Sequence, residues 1–325
     1  MSDLLEIKNV TKIFPLGGII RKKYVTAVEN VSLKIPEDKQ VIITLAGESG
    51  SGKTTIANMV MGFIKPTSGE ILFRGKNIWK MSKKERKRYR KEVQAVFQDP
   101  FESLNPFYKI RYVLMGPIKK LKLANSQSEA DKLAREALLD VNLDPDEVLD
   151  KYPHQLSGGQ RQRVMLARVF LIKPKLLIAD EPVSMIDVSL RADILKIIHN
   201  LEKEYKMSCL YITHDLSTAF SISNFIMILY LGSVTEEGDF ETVVKDPKHP
   251  YVRMLINSIP LPNPRSRWKG RVKLQDIEIA RLEKISGCKF HNRCPEAMPI
   301  CSKEVPPLID LNEHHKVACH LYTTT

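Results

Sequence analysis

The feature that most constrains the fold is a glycine-rich stretch at residues 47–55, with the sequence GESGSGKTT. It matches the pattern G-x-x-x-x-G-K-[ST], whose fixed positions are Gly47, Gly52, Lys53 and Thr54. The apolar run before it, at 41–46, predicts a buried strand, and residues 56–63 predict a helix. In this setting, backbone N–H groups and the helix N-terminus bind a polyphosphate. We therefore expect a nucleoside triphosphate site, where Lys53 reaches the β- and γ-phosphates and Thr54 ligates Mg²⁺.

Length and composition place the chain among globular proteins. Its 325 residues correspond to about two domains, on a prior of roughly 150 residues each. With 43% hydrophobic and 27% charged residues, it can bury a core and is not disordered as a whole. No apolar run approaches the roughly 18–20 residues that span a bilayer, and the N-terminal sequence MSDLLEIKNV lacks the features of a signal peptide. We expect a soluble protein that faces the cytosol.

The charge is strongly basic and is concentrated in one segment. The net charge of +12 indicates a polyanionic neighbour, either nucleic acid or the anionic inner face of a membrane. Residues 80–91 hold eight basic side chains against the single acid Glu85, which accounts for seven of the twelve charges. A solvated helix face is the favoured explanation of this run, and charge alone does not identify a partner.

Two further stretches predict a second anion site and a helical insertion. The sequence LSGGQRQR at residues 156–163 places Ser157, a good helix N-cap, before two glycines and a predicted helix over 164–171. The N-terminus of such a helix binds anions. Between residues 113 and 156 the apolar periodicity is helical, which predicts a helical subdomain inserted in an α/β core.

Acidic and histidine side chains follow two predicted buried strands. The run KLLIAD predicts a strand that ends at Asp180 and is followed by Glu181. Asp180 would hold Mg²⁺, and Glu181 would polarise the attacking water. His214 follows the next predicted strand, at 209–213; alone it is a weak signal, since a lone histidine is usually structural. Residues 225–231 predict an edge strand.

Two aromatic residues before the loop are candidates to stack on a nucleobase. Phe14 ends a predicted strand over residues 4–14, about thirty residues before the phosphate loop, and Tyr24 follows a predicted loop over residues 15–23. For each, the alternative is a core or hairpin aromatic that binds no ligand, and the sequence leaves the choice open.

The five cysteines are unevenly placed. Cys209 lies in an apolar run and is expected to be buried in the core. The other four lie in the last 38 residues with the spacing Cys-x5-Cys-x6-Cys-x17-Cys; they are Cys288, Cys294, Cys301 and Cys319. In a cytosolic chain such a cluster indicates metal rather than disulfides, and four thiolates suit either Zn²⁺ or an iron–sulfur cluster. Alternative ligands, expected at the surface or beside the ligands, are His291, His314, His315 and His320.

Taken in order, these motifs resemble those of ABC-type ATPases. They are GESGSGKT at 47–54, Gln98, LSGGQ at 156–160, LLIADEP at 176–182, Asp187 and His214. The resemblance covers about residues 4–255. It implies an α/β fold of the P-loop NTPase class, with a RecA-like core, an antiparallel β subdomain and a helical subdomain inserted at about 99–172. The ATPase domain would span residues 1–257, and a small Cys-rich C-terminal domain would span 258–325.

The resemblance also implies how such a domain works. Two domains would face head to tail, so that LSGGQ of one closes on the ATP held by the other. Gln98 would sense Mg²⁺ and couple to a transmembrane partner, Glu181 would be the catalytic base, and His214 would contact the γ-phosphate. Residues 184–187 read SMID where the family usually has SALD, and since the aspartate, Asp187, is kept we expect no loss of activity. The implied nucleotide-binding residues are Phe14, Gly47, Glu48, Ser49, Gly50, Ser51, Gly52, Lys53, Thr54, Thr55, Ser157, Gly158, Gly159, Gln160 and Asp187, and the implied Mg²⁺ ligands are Thr54, Gln98 and Asp180.

Three longer stretches resemble the ATPase subunits of oligopeptide and dipeptide importers, at residues 97–106, 152–163 and 249–260. The first is closer to the second of the two paralogous ATPases that such systems usually pair. The resemblance implies ATP hydrolysis at the cytoplasmic face of the cell membrane. The implied partners are a paralogous ATPase subunit or a second copy of this chain, two permease subunits and, indirectly, an extracytoplasmic substrate-binding protein.

The tail resembles the C-terminal domain of the same importer ATPases. It opens with a proline-rich linker, IPLPNPRSR, from residue 259. In that family, four cysteines of the domain hold a [4Fe–4S] cluster. The resemblance therefore implies a structural [4Fe–4S] cluster held by Cys288, Cys294, Cys301 and Cys319, with zinc as the alternative.

Other classes of function stay open on the sequence. The charge suggests a soluble ABC ATPase that acts on nucleic acid, but only about 110 residues separate Gly47 from Leu156, too few for the coiled coil of repair-type members. Translation-type members carry two ATPase units, whereas this chain has one, so no nucleic-acid partner is expected. A redox-sensing module that binds nucleotide without hydrolysis is disfavoured because Glu181 and His214 are both present. An importer ATPase for another cargo, such as a sugar or nickel, remains an alternative because other subunits choose the cargo.

Overall fold

A computed structural model describes residues 3–16, 23–99, 104–259 and 285–323 of the chain. Parts of three predicted features therefore lie outside the described residues: the loop at 15–23, the stretch at 97–106 and the proline-rich linker after residue 259.

The described residues form a mixed set of strands and helices. The strands are β1 (Asp3–Leu16), β2 (Lys23–Pro36), β3 (Ile42–Ala46), β4 (Ser68–Phe73), β5 (Lys76–Asn77), β6 (Val93–Val96), β7 (Leu176–Asp180), β8 (Ser208–Thr213), β9 (Phe225–Tyr230), β10 (Ser233–Asp239), β11 (Ile309–Asn312) and β12 (His315–Val317). The helices are α1 (Lys53–Val60), α2 (Lys83–Glu92), α3 (Ile110–Leu121), α4 (Gln127–Leu139), α5 (Pro145–Val148), α6 (Gly158–Phe170), α7 (Val188–Tyr205), α8 (Leu216–Ala219), α9 (Phe240–Lys245) and α10 (Pro250–Asn257). Single 3-10 turns occupy Pro153–Gln155, His291–Arg293, Pro299–Ser302 and His320–Tyr322.

The chain divides into two compact units, each assembled from separate stretches of sequence. Unit 1 comprises Met1–Leu4, Ile35–Ile42 and Phe73–Ile212. Unit 2 comprises Leu5–Lys34, Ile43–Leu72 and Thr213–Thr325. The phosphate loop thus shares a unit with the C-terminal residues, whereas LSGGQ and the acidic strand end belong to unit 1.

Unit 1 contains the parallel strands β6, β7 and β8. In register, Leu176 of β7 lies opposite Val93 of β6 and Ser208 of β8. All residues of β7 and β8 are buried, as expected for parallel strands covered on both faces. Helices α3 to α6 lie in the stretch predicted to be a helical subdomain. They bury apolar faces, for example Leu114 of α3 and Leu138 of α4, both 0% exposed.

Unit 2 contains a mixed sheet in the order β11–β12–β10–β9–β3. Strand β9 runs parallel to β3 and antiparallel to β10, and β10 is antiparallel to β12, with Glu236 opposite Val317. The prediction of an edge strand at 225–231 is wrong, because β9 has a neighbour on each side. Its residues Ile226 to Leu229 are all 0% exposed, which fits an interior strand. Strands β2, β1 and β4 lie side by side in a second sheet of this unit.

The basic run lies on helix α2. Ser82 and Glu85 form a capping box at its N-terminus, in which the Ser82 hydroxyl accepts from Glu85 N–H and the Glu85 carboxylate accepts from Ser82 N–H. Its lysines and arginines are exposed, and only Tyr89 among its residues is buried. The run is therefore a solvated helix face, as expected.

Candidate functional site

The phosphate loop joins a buried strand to a helix. Strand β3 ends at Ala46, and α1 begins at Lys53 after Gly52. Gly47 and Gly52 have φ values of +143° and +106°, in a region that favours glycine. A Cβ atom on Gly47 would lie 2.2 Å from the Leu229 carbonyl oxygen, and one on Gly52 would lie 2.5 Å from that of Ala27. Both positions therefore require glycine, and the strand–loop–helix prediction agrees with the structure.

Lys53 holds the loop in a tight curve. Its side chain is buried, and Nζ donates hydrogen bonds to the carbonyl oxygens of Gly47 (2.7 Å) and Glu48 (3.0 Å) and to Ser51 Oγ (3.3 Å). The ammonium group thus lies inside the loop, which places a positive charge where a polyphosphate would enter. Of the other predicted loop residues, Ser49 and Thr54 are exposed, and Gly50 and Thr55 are half-buried.

In unit 1, two strand ends bring a glutamine and a glutamate together. Gln98 follows β6, and Glu181 follows β7; because these strands are parallel neighbours, their carboxyl ends meet at one edge. Gln98 Nε2 donates a hydrogen bond to Glu181 Oε2 at 3.0 Å. Asp180, the last residue of β7, is 8% exposed. Glu181 has φ = +47°, a strained backbone of the kind that is concentrated at functional sites.

The LSGGQ stretch begins helix α6 with a capping box. The Ser157 hydroxyl accepts from Gln160 N–H at 3.2 Å, and Gln160 Oε1 accepts from Ser157 N–H at 3.0 Å. The Gln160 side chain is thus engaged within its own helix, a use that the sequence reasoning missed. Gly159 is buried, and a Cβ atom there would lie 3.0 Å from Leu190 Cδ1, whereas Gly158 has open space around it.

The remaining predicted residues lie at helix and strand ends. Asp187 is exposed and precedes α7 as its N-cap residue, and His214 is exposed and follows β8 directly. Phe14 is half-buried, with the Lys12 ammonium 5.0 Å from its ring centroid, and Tyr24 is 65% exposed. The predicted roles of these four residues stay predictions.

The structure adds two loop-contacting residues that the motifs did not predict. The Tyr251 hydroxyl accepts a hydrogen bond from Glu48 N–H at 2.9 Å. Arg293 donates two hydrogen bonds to the Glu48 carboxylate, from Nη1 at 2.9 Å and from Nη2 at 3.0 Å. Tyr251 lies within the importer-like stretch at 249–260, but no sequence signal linked it or Arg293 to the loop.

The prediction of a [4Fe–4S] cluster is wrong. All four cysteines are described, yet in the described parts of the chain no group of three or more His, Cys, Asp or Glu side chains is arranged to hold a metal ion. Burial raises the pKa of Cys288, Cys294 and Cys319, the last to about 11. The zinc alternative lacks support as well, because it needs the same convergence of ligands. Cys209 is 0% exposed, as expected.

The histidines of the tail are not all at the surface. His315 and His320 are 2% and 5% exposed. His315 Nε2 lies 2.6 Å from Oε1 of Glu236, itself 0% exposed, so this histidine joins β12 to β10. His320 Nε2 lies 2.9 Å from the Glu304 carbonyl oxygen. Their side chains are engaged in the packing of unit 2, which corrects the expectation for these two residues.

None of the helices in the described ranges is both long and apolar enough to cross a membrane.

Two protein families match the chain. The family described as "ABC transporter" matches residues 28–184, and the family described as "Oligopeptide/dipeptide transporter, C-terminal region" matches residues 235–301. Among curated proteins, the oligopeptide transport ATP-binding protein AppF of Bacillus subtilis is 38% identical over 329 residues, which cover 98% of each chain. The putative oligopeptide transport ATP-binding protein YkfD of the same organism is 38% identical over 320 residues, 98% of this chain and 95% of that protein.

Solved structures of ATP-binding cassettes share the fold. A dimeric post-hydrolysis state of the cassette MJ0796 bound to ADP and phosphate is 30% identical, with a TM-score of 0.64 over 73% of this chain and 98% of that one. CbiO1 of Clostridium perfringens, part of an ABC transporter complex, is 26% identical, with a TM-score of 0.64 over 76% of this chain and 92% of that one. With its phosphate loop, LSGGQ helix and acidic strand end, the chain has the α/β fold of a P-loop NTPase and belongs to the ABC ATPases, in the family of oligopeptide transport ATP-binding proteins.

Proposed function

We propose that this ABC ATPase is the ATP-hydrolysing subunit of an importer for oligopeptides or dipeptides. The observation that carries the proposal is the extent of the similarity, which covers 95–98% of two oligopeptide transport ATP-binding proteins and includes the C-terminal region. We infer that residues 1–257 form the ATPase domain and residues 258–325 a C-terminal region. ATP hydrolysis would drive transport by separate membrane subunits at the cytoplasmic face of the membrane.

The loop at 47–55 would bind the ATP phosphates through its N–H groups and Lys53. Oxygen atoms of Thr54, Gln98 and Asp180 suit Mg²⁺, which when bound would neutralise phosphate charge. Glu181 would polarise the attacking water. The hydrogen bond from Gln98 at 3.0 Å supports this role, because it fixes the orientation of the carboxylate.

Further residues would complete the site. Phe14 or Tyr24 would stack on the base, and His214 would contact the γ-phosphate. Ser157 and Gly159 would reach the nucleotide of a second ATPase domain, with Asp187 between the two sites. That second domain would be a paralogous subunit or a second copy of this chain, and the dimeric MJ0796 cassette supports pairing of this kind.

A groove in unit 1 is suited to a permease segment. Its volume is about 870 Å³, and its walls come mainly from α2, α3 and the end of α6. Six basic side chains line it, and no carboxylate does so among the described residues; the six are Lys83, Arg86, Lys87, Arg90, Lys120 and Arg168. Tyr108 and Tyr112, stacked with ring centroids 4.3 Å apart, add an apolar wall. This combination favours a cytoplasmic permease segment with acidic and apolar side chains. A substrate-binding protein would take part only through the permease.

The ATPase part of the proposal is tested by steady-state hydrolysis and equilibrium ATP binding. Lys53→Ala should lose ATP binding, because the loop loses its cation. Glu181→Gln should bind ATP but hydrolyse it at least about 100-fold more slowly. Glu241→Gln is the matched control, because the Glu241 side chain is 81% exposed and forms an ion pair with Lys245 on the surface of α9. This variant should hydrolyse ATP at the wild-type rate. Unchanged hydrolysis in Glu181→Gln would contradict the assigned role.

The transport part is tested in proteoliposomes that contain the permease subunits and the binding protein. A labelled dipeptide should be taken up with ATP, whereas labelled nickel or a sugar should not. Charge reversal in the groove, Arg86→Glu with Lys120→Glu, should abolish uptake but keep basal ATP hydrolysis. Lys245→Glu, at an exposed helix position outside the groove, should leave both unchanged. Uptake that survives the groove variant would refute the docking site.

A further inference from the structure

We propose that Arg293 is a positioning residue for the phosphate loop, and that through it the C-terminal segment 285–323 sets the affinity for nucleotide. The inference rests on the proposed function in one respect: the loop at 47–55 is taken to bind ATP. It concerns a residue outside the ATPase motifs, 245 positions after its partner Glu48.

The contact is a fork of two parallel hydrogen bonds. Arg293 Nη1 donates to Glu48 Oε2 at 2.9 Å, and Nη2 donates to Oε1 at 3.0 Å. The Arg293 side chain is 8% exposed and that of Glu48 is 23% exposed, so water competes little for either group. Paired charges in this geometry are the strongest hydrogen-bonded contacts that side chains make. The loop is therefore fixed through one of its own side chains.

Contacts with two aromatic residues also hold the Arg293 guanidinium in place. Nη1 also donates to the Tyr230 hydroxyl at 3.2 Å, and the guanidinium carbon lies 5.7 Å from the Tyr230 ring centroid and 5.6 Å from that of Phe290. Phe290 is 1% exposed and packs against Tyr251, with ring centroids 5.3 Å apart. An arginine packed against two aromatic rings in a buried site loses little further freedom when it binds a carboxylate.

Every polar group of Glu48 has a defined partner. Its N–H donates to the Tyr251 hydroxyl at 2.9 Å, its carbonyl oxygen accepts from Lys53 Nζ at 3.0 Å, and its carboxylate binds Arg293. Tyr251 is 0% exposed and is packed in the same aromatic cluster as Phe290. The second residue of the loop is thus oriented from both sides.

The charge of Glu48 also affects nucleotide binding. A carboxylate within a loop that receives a polyphosphate repels the ligand, because both are anionic. Arg293 neutralises that charge, and Lys53 remains to attract the phosphates. Loss of Arg293 would leave an uncompensated, largely buried carboxylate in the loop, which disfavours an arriving anion. The effect should therefore appear in nucleotide affinity rather than in the rate of the chemical step.

The same segment supports the loop at a second point. Lys289 Nζ donates to the Leu231 carbonyl oxygen at 2.7 Å and pairs with Glu29 at 2.6 Å. The next residue, Gly232, donates its N–H to the Ser51 carbonyl oxygen at 2.9 Å. The C-terminal segment thus also fixes the turn between β9 and β10, which in turn donates a hydrogen bond to the phosphate loop.

The test compares KM and kcat for ATP hydrolysis, together with Kd for ADP measured by calorimetry, across four variants of the full chain. Arg293→Met removes the charge, and Arg293→Lys keeps the charge but loses the fork. Glu48→Gln/Arg293→Met removes both charges. The matched control is Arg253→Met, because Arg253 donates to Glu296 (2.7 Å) and the Tyr322 hydroxyl (2.8 Å) and so ties the same segment to α10 without contacting the loop.

We expect Arg293→Met to raise KM and the ADP Kd about tenfold, in the range of coupling between linked sites, with kcat within about twofold of wild type. Arg293→Lys should raise KM about threefold. The double variant should recover most of the lost affinity, since the unpaired carboxylate is gone. The control should keep the wild-type KM.

An unchanged KM in Arg293→Met, an equal rise in Arg253→Met, or a double variant no better than the single one would overturn the proposal. If Arg293→Met does not fold, Arg293→Lys becomes the deciding variant, and a wild-type KM in Arg293→Lys would overturn the proposal. A wild-type chain that neither binds ADP nor hydrolyses ATP would instead refute the proposed function.

Discussion

His249 lies at the N-terminus of α10, where its Nδ1 accepts a hydrogen bond from Tyr251 N–H at 3.0 Å. Its own backbone N–H donates to the Glu236 carboxylate at 2.6 Å. The residue is 2% exposed, and burial, with a smaller contribution from the charge of Arg253, lowers the pKa of His249 to about 4. The folded protein therefore keeps this imidazole neutral well below the pH at which a solvated histidine gains a proton.

The pKa difference sets the size of an acid effect. The unfolded chain, with a histidine pKa of about 6.5, binds a proton at this site between about pH 6.5 and 4, whereas the folded chain does not. The free energy of unfolding must therefore fall as the pH falls through this window. Protonation at this site lowers the free energy of unfolding by about 3 kcal/mol in full, and about 2 kcal/mol of this loss falls between pH 7 and pH 5.

The measurement is urea unfolding of the wild type and His249→Asn at several pH values from 7 to 5. Asparagine can still accept a hydrogen bond at a helix N-terminus but does not titrate in this range, so it isolates the proton effect. The wild type should lose about 2 kcal/mol more than the variant over this interval. Parallel pH profiles for the two proteins would refute the assignment of the low pKa to burial of His249.

Four substitutions test other structural features. Gly47→Ala should abolish ATP binding, since its Cβ would lie 2.2 Å from a carbonyl oxygen, whereas Gly158→Ala, with open space around it, should keep the wild-type melting temperature. Ser157→Ala should lose about 1 kcal/mol of stability through its cap, measured by urea unfolding; an unchanged midpoint would show that the cap is not needed. His315→Ala should lower the free energy of unfolding by about 3 kcal/mol, because it leaves the fully buried Glu236 without its imidazole partner. The variant should also be cleaved faster by proteases within residues 285–323, and equal cleavage rates in variant and wild type would contradict this.

The phosphate loop could be predicted because its chemistry is local. Residues 47–55 need only the strand before them, the helix after them and the glycines, all of which are adjacent in sequence. The roles of Gln98 and Glu181 are predicted from the order of motifs along the chain, and the contact between the two residues follows from the parallel pairing of β6 with β7. These parts depend on patterns that a short window of sequence shows.

The failures share a different cause, since each depends on distant stretches of chain. The spacing of Cys288, Cys294, Cys301 and Cys319 does not tell whether their sulfurs converge on one point, and in the described residues they form no metal-binding group. The prediction of an edge strand fails because β9 also pairs with β3, which lies about 180 residues earlier in the chain and leaves no local signal in the sequence of β9. The contact between Glu48 and Arg293 joins residues 245 apart and has no local signal.

Unit 2 draws on two early stretches, Leu5–Lys34 and Ile43–Leu72, and on a late one, Thr213–Thr325, and this affects the order of events during synthesis. The phosphate loop leaves the ribosome early, but Tyr251, Arg293 and strand β12 follow some 200 residues or more later. Chains that emerge at about 5–20 residues per second would wait on the order of ten seconds or longer for these partners. A nascent or truncated chain would therefore carry the complete ATP-binding motif without the contacts that fix it, so its affinity for nucleotide would be lower than that of the finished chain.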